Sequence, residues 1–156
     1  MITIRRLVKV ELQAVFEAGL AIFQPLPSEQ HTYHDLRVWK EFMDQGAVVL
    51  GAYADDHLGG FLFAKREAPD HFHIWLAGVL PEMRRQGLLR SLLTAMETTA
   101  QEEGVTKLTI NTYAKRFPEM YQLLPSFGFH LDRTEEQEVS GRMMEKSFFS
   151  KSVEKK

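Results

Sequence analysis

The sequence predicts an α/β protein, more closely an α+β fold with one mixed sheet flanked by helices, and three observations carry the prediction. An apolar strand at 71–80 runs through a basic turn into a helical pattern at 87–103, and a second apolar strand follows at 105–112. A strand–helix–strand unit of this kind is a right-handed crossover, so its two strands lie parallel. Upstream, the strand patterns 47–54 and 58–65 are separated by Asp55-Asp56-His57, a hairpin signal that adds antiparallel strands. The third observation is the order of elements, β-α-α-β-β-β-α-β-α-β-β, which has no internal repeat and no low-complexity stretch. A chain of 156 residues makes one domain, long enough to bury about 70% of its unfolded surface.

Taken in order, Ile2, Ile4 and Leu7 alternate as a first strand, and residues 10–23 carry helical spacing. Gln24-Pro25-Leu26-Pro27-Ser28 breaks that helix, and Ser28 is placed to cap a second one that runs through Asp44 and stops at Gly46. The hairpin follows, then a turn at Glu67-Ala68-Pro69-Asp70, then the long fourth strand. In the helix at 87–103 the buried stripe is Leu89, Leu92, Leu93, Met96 and Ala100, with Arg90, Thr94, Glu97 and Gln101 toward water. Gly104 stands in the C′ position that ends it. A last helix starts at Pro118 and ends near Ser126. Residues 129–131 and 142–149 are expected as short final strands around a polar, acidic loop at 132–141, with 150–156 a solvated tail beyond a single domain of residues 1–149.

Composition narrows the function. A net charge of −2 supplies no global positive field, so neither nucleic acid nor an anionic membrane is expected as a partner. Cysteine is absent, which excludes disulfides, thiolate metal sites and a cysteine nucleophile. No run of eighteen apolar residues exists, and Met1-Ile2-Thr3-Ile4-Arg5-Arg6 does not lead into a signal-peptide core, so a cytoplasmic location is expected. His71 and His73 are neighbours on one strand, but no further ligand pattern accompanies them and no metal is expected.

The chemistry concentrates in Arg84-Arg85-Gln86-Gly87-Leu88-Leu89-Arg90, after Val79-Leu80-Pro81-Glu82. The first N–H groups of a helix lack intrahelical partners, and the macrodipole adds about half a positive charge there. A glycine lets an anion approach the backbone without meeting a Cβ, and arginines add charge that does not titrate away. A phosphorylated cofactor is the expected cargo. No Gly-Lys-Ser/Thr follows, so the segment is not a P-loop, and only one of the three dinucleotide-fingerprint glycines is present.

This segment resembles the phosphate-binding motif of the GNAT superfamily of N-acetyltransferases, which reads Arg or Gln, two residues, Gly, one residue, then Gly or Ala. Here it runs from Arg84 through Gly87 to Leu89, where the small final residue of the family is replaced by leucine. Phe127-Gly128-Phe129 is similar to the family's Gly-Phe ending, and the order of elements matches the GNAT order over essentially the whole chain. The resemblance implies an acetyl-CoA co-substrate, a primary amine of a small molecule or peptide as acceptor, and a central sheet whose fourth and fifth strands splay to admit the pantetheine arm. It implies cofactor contacts from Arg84, Arg85, Gln86, Gly87, Leu88, Leu89 and Arg90, from the backbone of Ala77, Gly78 and Val79, and from Asn111. Gly78 fits independently, because a strand-interior glycine often marks a bulge or a close approach.

An amine must lose a proton before it attacks a thioester, and a base with a pKa near 7 does this best. Family members often place that base eleven residues before the first motif position, which is His73 here. An ordinary imidazole value of about 6.5 needs little tuning for the task. Strand alternation puts His71, Trp75 and Ala77 on its face, opposite Phe72, Ile74 and Leu76. His73 as a polar residue on a half-exposed strand is the other reading. Tyr121 is on the helical face where the family keeps a tyrosine as general acid, although that position itself is Leu124, and a packed surface ring explains Tyr121 equally. Acceptor specificity is expected in residues 23–33 and near 132–141, with Phe23, Leu26, Tyr33 and Trp39 as an apolar pocket and Glu29 or Asp35 attracting the amine. Without a cysteine or a serine nucleophile motif, direct transfer in a ternary complex is expected rather than an acetyl-enzyme. The alternatives are a non-catalytic acyl-CoA-binding module or sensor, or a scaffold without a ligand, and a homodimer is left open.

Overall fold

The structure, a computed structural model, describes residues 1–23, 35–139 and 141–154. Seven strands form one mixed sheet: β1 (Ile2–Arg6), β2 (Val48–Ala54), β3 (His57–Ala68), β4 (His71–Val79), β5 (Lys107–Tyr113), β6 (His130–Val139) and β7 (Arg142–Ser152), in the order β1-β2-β3-β4-β5-β7-β6. Among the described residues four α-helices accompany them: α1 (Leu12–Phe23), α2 (Leu36–Asp44), α3 (Leu88–Glu102) and α4 (Pro118–Leu123). β4 and β5 are parallel, as the crossover through α3 requires, and the other neighbouring pairs are antiparallel. No helix among the described residues is long and apolar enough to cross a membrane.

The sheet separates two cores. On one face Leu88, Leu92, Met96 and Ala100 of α3 pack on Leu50, Leu62, Phe72, Ile74, Leu108 and Ile110. On the other, Leu12, Val15 and Ile22 of α1 and Trp39 of α2 close over Val49, Phe61 and Phe63. β2 and the middle of β3 are covered on both sides, which is why they read as nearly continuous apolar runs. Between them Asp55 and Asp56 take left-handed φ values of 49° and 71°, the conformation of a two-residue hairpin turn, and Ala54 pairs with His57.

Several expectations are corrected. The second helix begins at Leu36 with Asp35 as its N-cap, accepting from the Arg37 N–H at 2.9 Å. Ser28, the expected cap, and the Gln24–Pro25–Leu26–Pro27 break lie outside the described residues. β3 runs three residues further than expected, because a bulge at Glu67 lets the hairpin to β4 close at Pro69-Asp70. The expected loop at 132–141 is mostly strand. β6 lies at the sheet edge with polar side chains on both faces, so it shows no apolar alternation; its cross-strand partners hold it instead. Glu135 faces Lys146, and the Arg133 guanidinium lies 3.9 Å from the centre of the Phe148 ring. The tail also starts later, since β7 reaches Ser152 and Val153 is buried with its N–H on Thr106 O.

Candidate functional site

β4 and β5 stay paired only from His71/Lys107 to Ile74/Ile110. Beyond that rung β4 continues along β3 while Asn111, Thr112 and Tyr113 pair with β7, so the two parallel strands part into a wedge. A cavity of about 400 Å³ fills the wedge. Its walls come from His73 and residues 75–79 of β4, residues 110–113 of β5, the end of α1 at Ile22 and Phe23, and the start of α4.

A bulge in β4 shapes the wall. Phe63 pairs with Leu76 and Ala64 with Ile74, leaving Trp75 without a partner in β3. An extra residue in one strand reverses the side-chain alternation beyond it. Phe72, Ile74, Ala77 and Val79 therefore pack with the α3 core, whereas Trp75 and Leu76 pack with the α1–α2 core. The expected grouping of Ala77 with His73 and Trp75, opposite Leu76, is overturned by that one residue. Gly78 also has a specific cause: a Cβ there would lie 2.6 Å from Ile22 Cγ2, so only glycine lets α1 close over the wedge.

The basic turn stands at the end of this wall. Pro81–Met83 forms a short 3-10 helix, Arg85 takes a left-handed φ of 64°, and Gly87 follows at 82° as the N-cap of α3. A non-glycine residue held at positive φ stores strain of about 1–3 kcal/mol, and such strain collects at ligand-binding sites. The first helical bond runs from the Ser91 N–H to Gly87 O at 3.0 Å, so the N–H groups of Leu88, Leu89 and Arg90 precede the ladder and are free for an anion. A Cβ on Gly87 would find no atom nearer than 3.9 Å; the glycine is there for its φ, and the space beside it is open. Among the described residues Arg84, Arg85 and Arg90 have no carboxylate partner. Free N–H groups, open space and unpaired guanidiniums together fit a pyrophosphate.

His73 sits at the floor, one residue before the strands part, and lines the cavity. Its Nδ1 lies 2.7 Å from the Thr109 hydroxyl. Burial, then the Lys65 ammonium beside it, push its pKa from 6.5 down to about 4; His71 and Lys146 add to the shift and Glu67 opposes it. The ring is neutral at pH 7, so the untuned value expected from sequence is corrected downward.

Ala77, Gly78, Val79, Arg84, Leu89 and Asn111 all line the cavity, together with His73. Arg85, Gln86, Gly87 and Arg90 are exposed along the turn. Leu88 is buried in the α3 core and offers only its backbone. Tyr121 is not among the lining residues; its ring packs edge-on against Phe149, centroids 5.6 Å apart. Of the expected acceptor pocket, Phe23 lines the cavity, while Trp39 is fully buried among Phe16, Phe61 and Phe63. Asp35 serves Arg37, and Leu26, Glu29 and Tyr33 lie outside the described residues. Tyr113, Arg116, Phe117 and Lys146 line the cavity without having been singled out from sequence. Alternation from Asn111 along β5 points to Tyr113, but Lys146 arrives through its pairing with Tyr113, a long-range register. Among the described residues no group of three or more metal-ligating side chains occurs.

The sequence matches the model of the Acetyltransferase (GNAT) family over residues 13–122, more than half of the chain. This chain belongs to the GNAT acetyltransferase family. The match includes the wedge strands, the basic turn and α3. A sequence search of curated proteins finds no significant match. Solved structures agree on the GNAT fold. The ribosomal-protein-S18-alanine N-acetyltransferase of Escherichia coli superposes with a TM-score of 0.82 at 16% identity, over 100% of this chain and 96% of that one. The ribosomal-protein-alanine N-acetyltransferase of Brucella melitensis gives 0.79 at 22% identity, over 97% and 99%. A GNAT family acetyltransferase of Elizabethkingia anophelis, with acetyl-CoA bound, gives 0.72 at 15% identity, over 97% and 98%.

Proposed function

We propose that this GNAT acetyltransferase moves the acetyl group of acetyl-CoA onto a primary amine by direct attack within a ternary complex. The observation that carries the proposal is the junction of three features: the wedge beyond Ile74/Ile110, the unpaired basic turn at its mouth, and a neutral imidazole at its floor. Acetyl-CoA supplies an activated thioester. Arg84 and the free N–H groups of Leu88, Leu89 and Arg90 hold the pyrophosphate, with Arg85, Gln86 and Gly87 completing the turn. The β4 edge at Ala77, Gly78 and Val79, left by β5, offers backbone groups to the pantetheine arm and the carbonyl oxygen, and Asn111 offers its amide across the wedge. His73 takes the amine proton. A base with a pKa near 4 is weak toward a free ammonium ion, but the attacking nitrogen becomes more acidic as it bonds to the carbonyl carbon. The packed ring of Tyr121 leaves the departing thiolate to solvent.

The acceptor is a small-molecule or peptide amine. Two of the similar structures are named for acetylating an alanine of a ribosomal protein, so peptides beginning with alanine head the panel. The test has two stages. Acetyl-CoA should raise the melting temperature, by linkage about 2.7 kcal/mol at one hundred times its dissociation constant, whereas NAD and ATP should do much less. Thiol release is then followed with alanine-, serine- and methionine-starting peptides, spermidine and simple alkylamines. No thermal shift at millimolar acetyl-CoA overturns the reading, and binding without release from any amine leaves a non-catalytic acyl-CoA module.

A further inference from the structure

Thr109 lies on β5 directly opposite His73, and its hydroxyl also reaches the second imidazole of the strand. Thr109 Oγ1 is 2.7 Å from His73 Nδ1 and 2.8 Å from His71 Nε2. A hydroxyl has one proton to donate and two lone pairs to accept with, so at most one ring accepts from it and at least one donates to it; both donating, with the threonine proton directed elsewhere, would also leave His73 Nε2 bare but would protonate His71 Nε2. In one arrangement His73 Nδ1–H donates to Thr109 and Thr109 donates to His71 Nε2. That leaves His73 Nε2 as a bare lone pair on a ring that lines the cavity. In the reverse arrangement His73 carries its proton on Nε2 and cannot accept one there.

Each arrangement leaves both rings neutral, and the surrounding charges bear on where an added proton rests. Lys65 on β3 and Lys146 on β7 face His73 and repel a proton from that end, against Glu67. At the His71 end, partial burial and then Lys107 on β5 also hold the pKa below its ordinary value, but Glu67 on β3 and Asp70 in the β3–β4 turn oppose them. His71 is also the less enclosed of the two rings, close to the start of β4 and away from the wedge.

We propose that His73, Thr109 and His71 form a proton relay, in which Thr109 holds His73 as the Nδ1–H tautomer and passes the acceptor's proton on to His71. The inference rests on the amine-acetylation reading given above. As the new N–C bond forms and the thioester C–S bond breaks, the thiolate leaves and is protonated by solvent, and the nitrogen gives its proton to His73 Nε2. The Nδ1 proton moves to Thr109 Oγ1, the threonine's own proton moves to His71 Nε2, and His71 releases its Nδ1 proton to water. After product release His71 Nδ1 takes a proton from water, the chain shifts back, and His73 Nε2 gives its proton to water in the reopened cavity. One proton leaves per turnover and no oxidant or reductant is needed. Thr109 is a positioning residue here, and the relay removes the burden of a weakly basic His73 by sending the proton to a better solvated site.

Long-range proton–nitrogen NMR correlations of the imidazoles in the ¹⁵N-labelled full chain test the tautomers without any acceptor. At pH 7 the parent should show His73 protonated at Nδ1 and bare at Nε2, with His71 Nε2 also bare. Thr109→Val should move both rings toward the Nε2–H form that dominates in water, and Thr109→Ser should keep the parental pattern. A parent His73 protonated at Nε2, or a valine variant with unchanged tautomers, overturns the proposal. In the thiol-release assay Thr109→Val and His71→Gln should lower turnover about tenfold with the KM for acetyl-CoA unchanged, and Thr109→Ser should restore it. Unchanged turnover in Thr109→Val overturns the relay even where the tautomers hold. Failure of acetyl-CoA to bind overturns the acetyltransferase reading instead and leaves the NMR result intact.

Discussion

Acidification should cost this protein stability through His73. The folded chain holds the imidazole at a pKa of about 4 against 6.5, because burial and the Lys65 ammonium disfavour its cation. The unfolded chain therefore binds a proton that the folded chain refuses. The resulting stabilisation is fully present above 6.5 and is lost as pH falls from 6.5 through about 4. The complete window corresponds to about 3 kcal/mol, and the part between pH 7 and pH 5 to about 2 kcal/mol. For a chain of this length that is roughly 4–8 °C in melting temperature. Carboxylates titrate over part of the same range, so the measurement is a double difference. Urea unfolding of the parent and of His73→Gln at pH 7 and pH 5 should show the parent losing about 2 kcal/mol more than the variant. The opposite sign would mean that the folded site attracts a proton, and an equal loss in both proteins would mean that His73 titrates as in water. Either refutes the shielded imidazole. If the shielding holds, the acidic limb of kcat/KM due to free His73 belongs near pH 4, and a limb near neutrality belongs to the acceptor amine.

Gly87→Glu should abolish acetyl-CoA binding by placing a carboxylate beside the free N–H groups, and Arg84→Ala should raise the KM for acetyl-CoA and weaken its salt dependence. Calorimetric titration checks both, and parental affinity in Gly87→Glu puts the phosphates elsewhere. Gly78→Val should destabilise the fold by about 1–3 kcal/mol and narrow the wedge, since even a Cβ would lie 2.6 Å from Ile22 Cγ2; denaturant titration with unchanged midpoint and unchanged acetyl-CoA affinity refutes that packing. Tyr121→Phe should keep turnover within about twofold, because the ring packs on Phe149 outside the cavity. A loss beyond tenfold would restore the hydroxyl as the acid that protonates the thiolate.

Much of the cofactor side was legible because it depends on local chain properties. A strand, a basic turn with one glycine and an amphipathic helix are contiguous in sequence, so Arg84, Gly87 and the start of α3 follow from spacing alone. The left-handed Arg85 was not legible, since nothing in its side chain asks for positive φ; the turn between two fixed elements imposes it. His73 was reachable by position but its proton affinity was not, because Lys65 lies on β3 and Lys146 on β7. The greater part of β6, beyond the short strand expected at 129–131, was missed for a related reason: a two-sided polar edge carries no period-two signal, and its partner β7 decides it.

By itself the sequence determined which segments bury apolar faces, the parallel crossover through α3, and an anion site at its first turn, since each follows from side-chain spacing and unpaired N–H groups within one short stretch. The tertiary structure alone decided the wedge, because β5 leaves β4 to pair with β7. It also decided the Trp75 bulge that reassigns Ala77 and Leu76, through the register with β3. The meeting of Thr109 with two imidazoles belongs to it as well, since it needs residues 36 and 38 positions apart in the chain brought side by side on β4 and β5. Pairing across long stretches of chain is settled by the free energy of the whole sheet, and no local pattern records it.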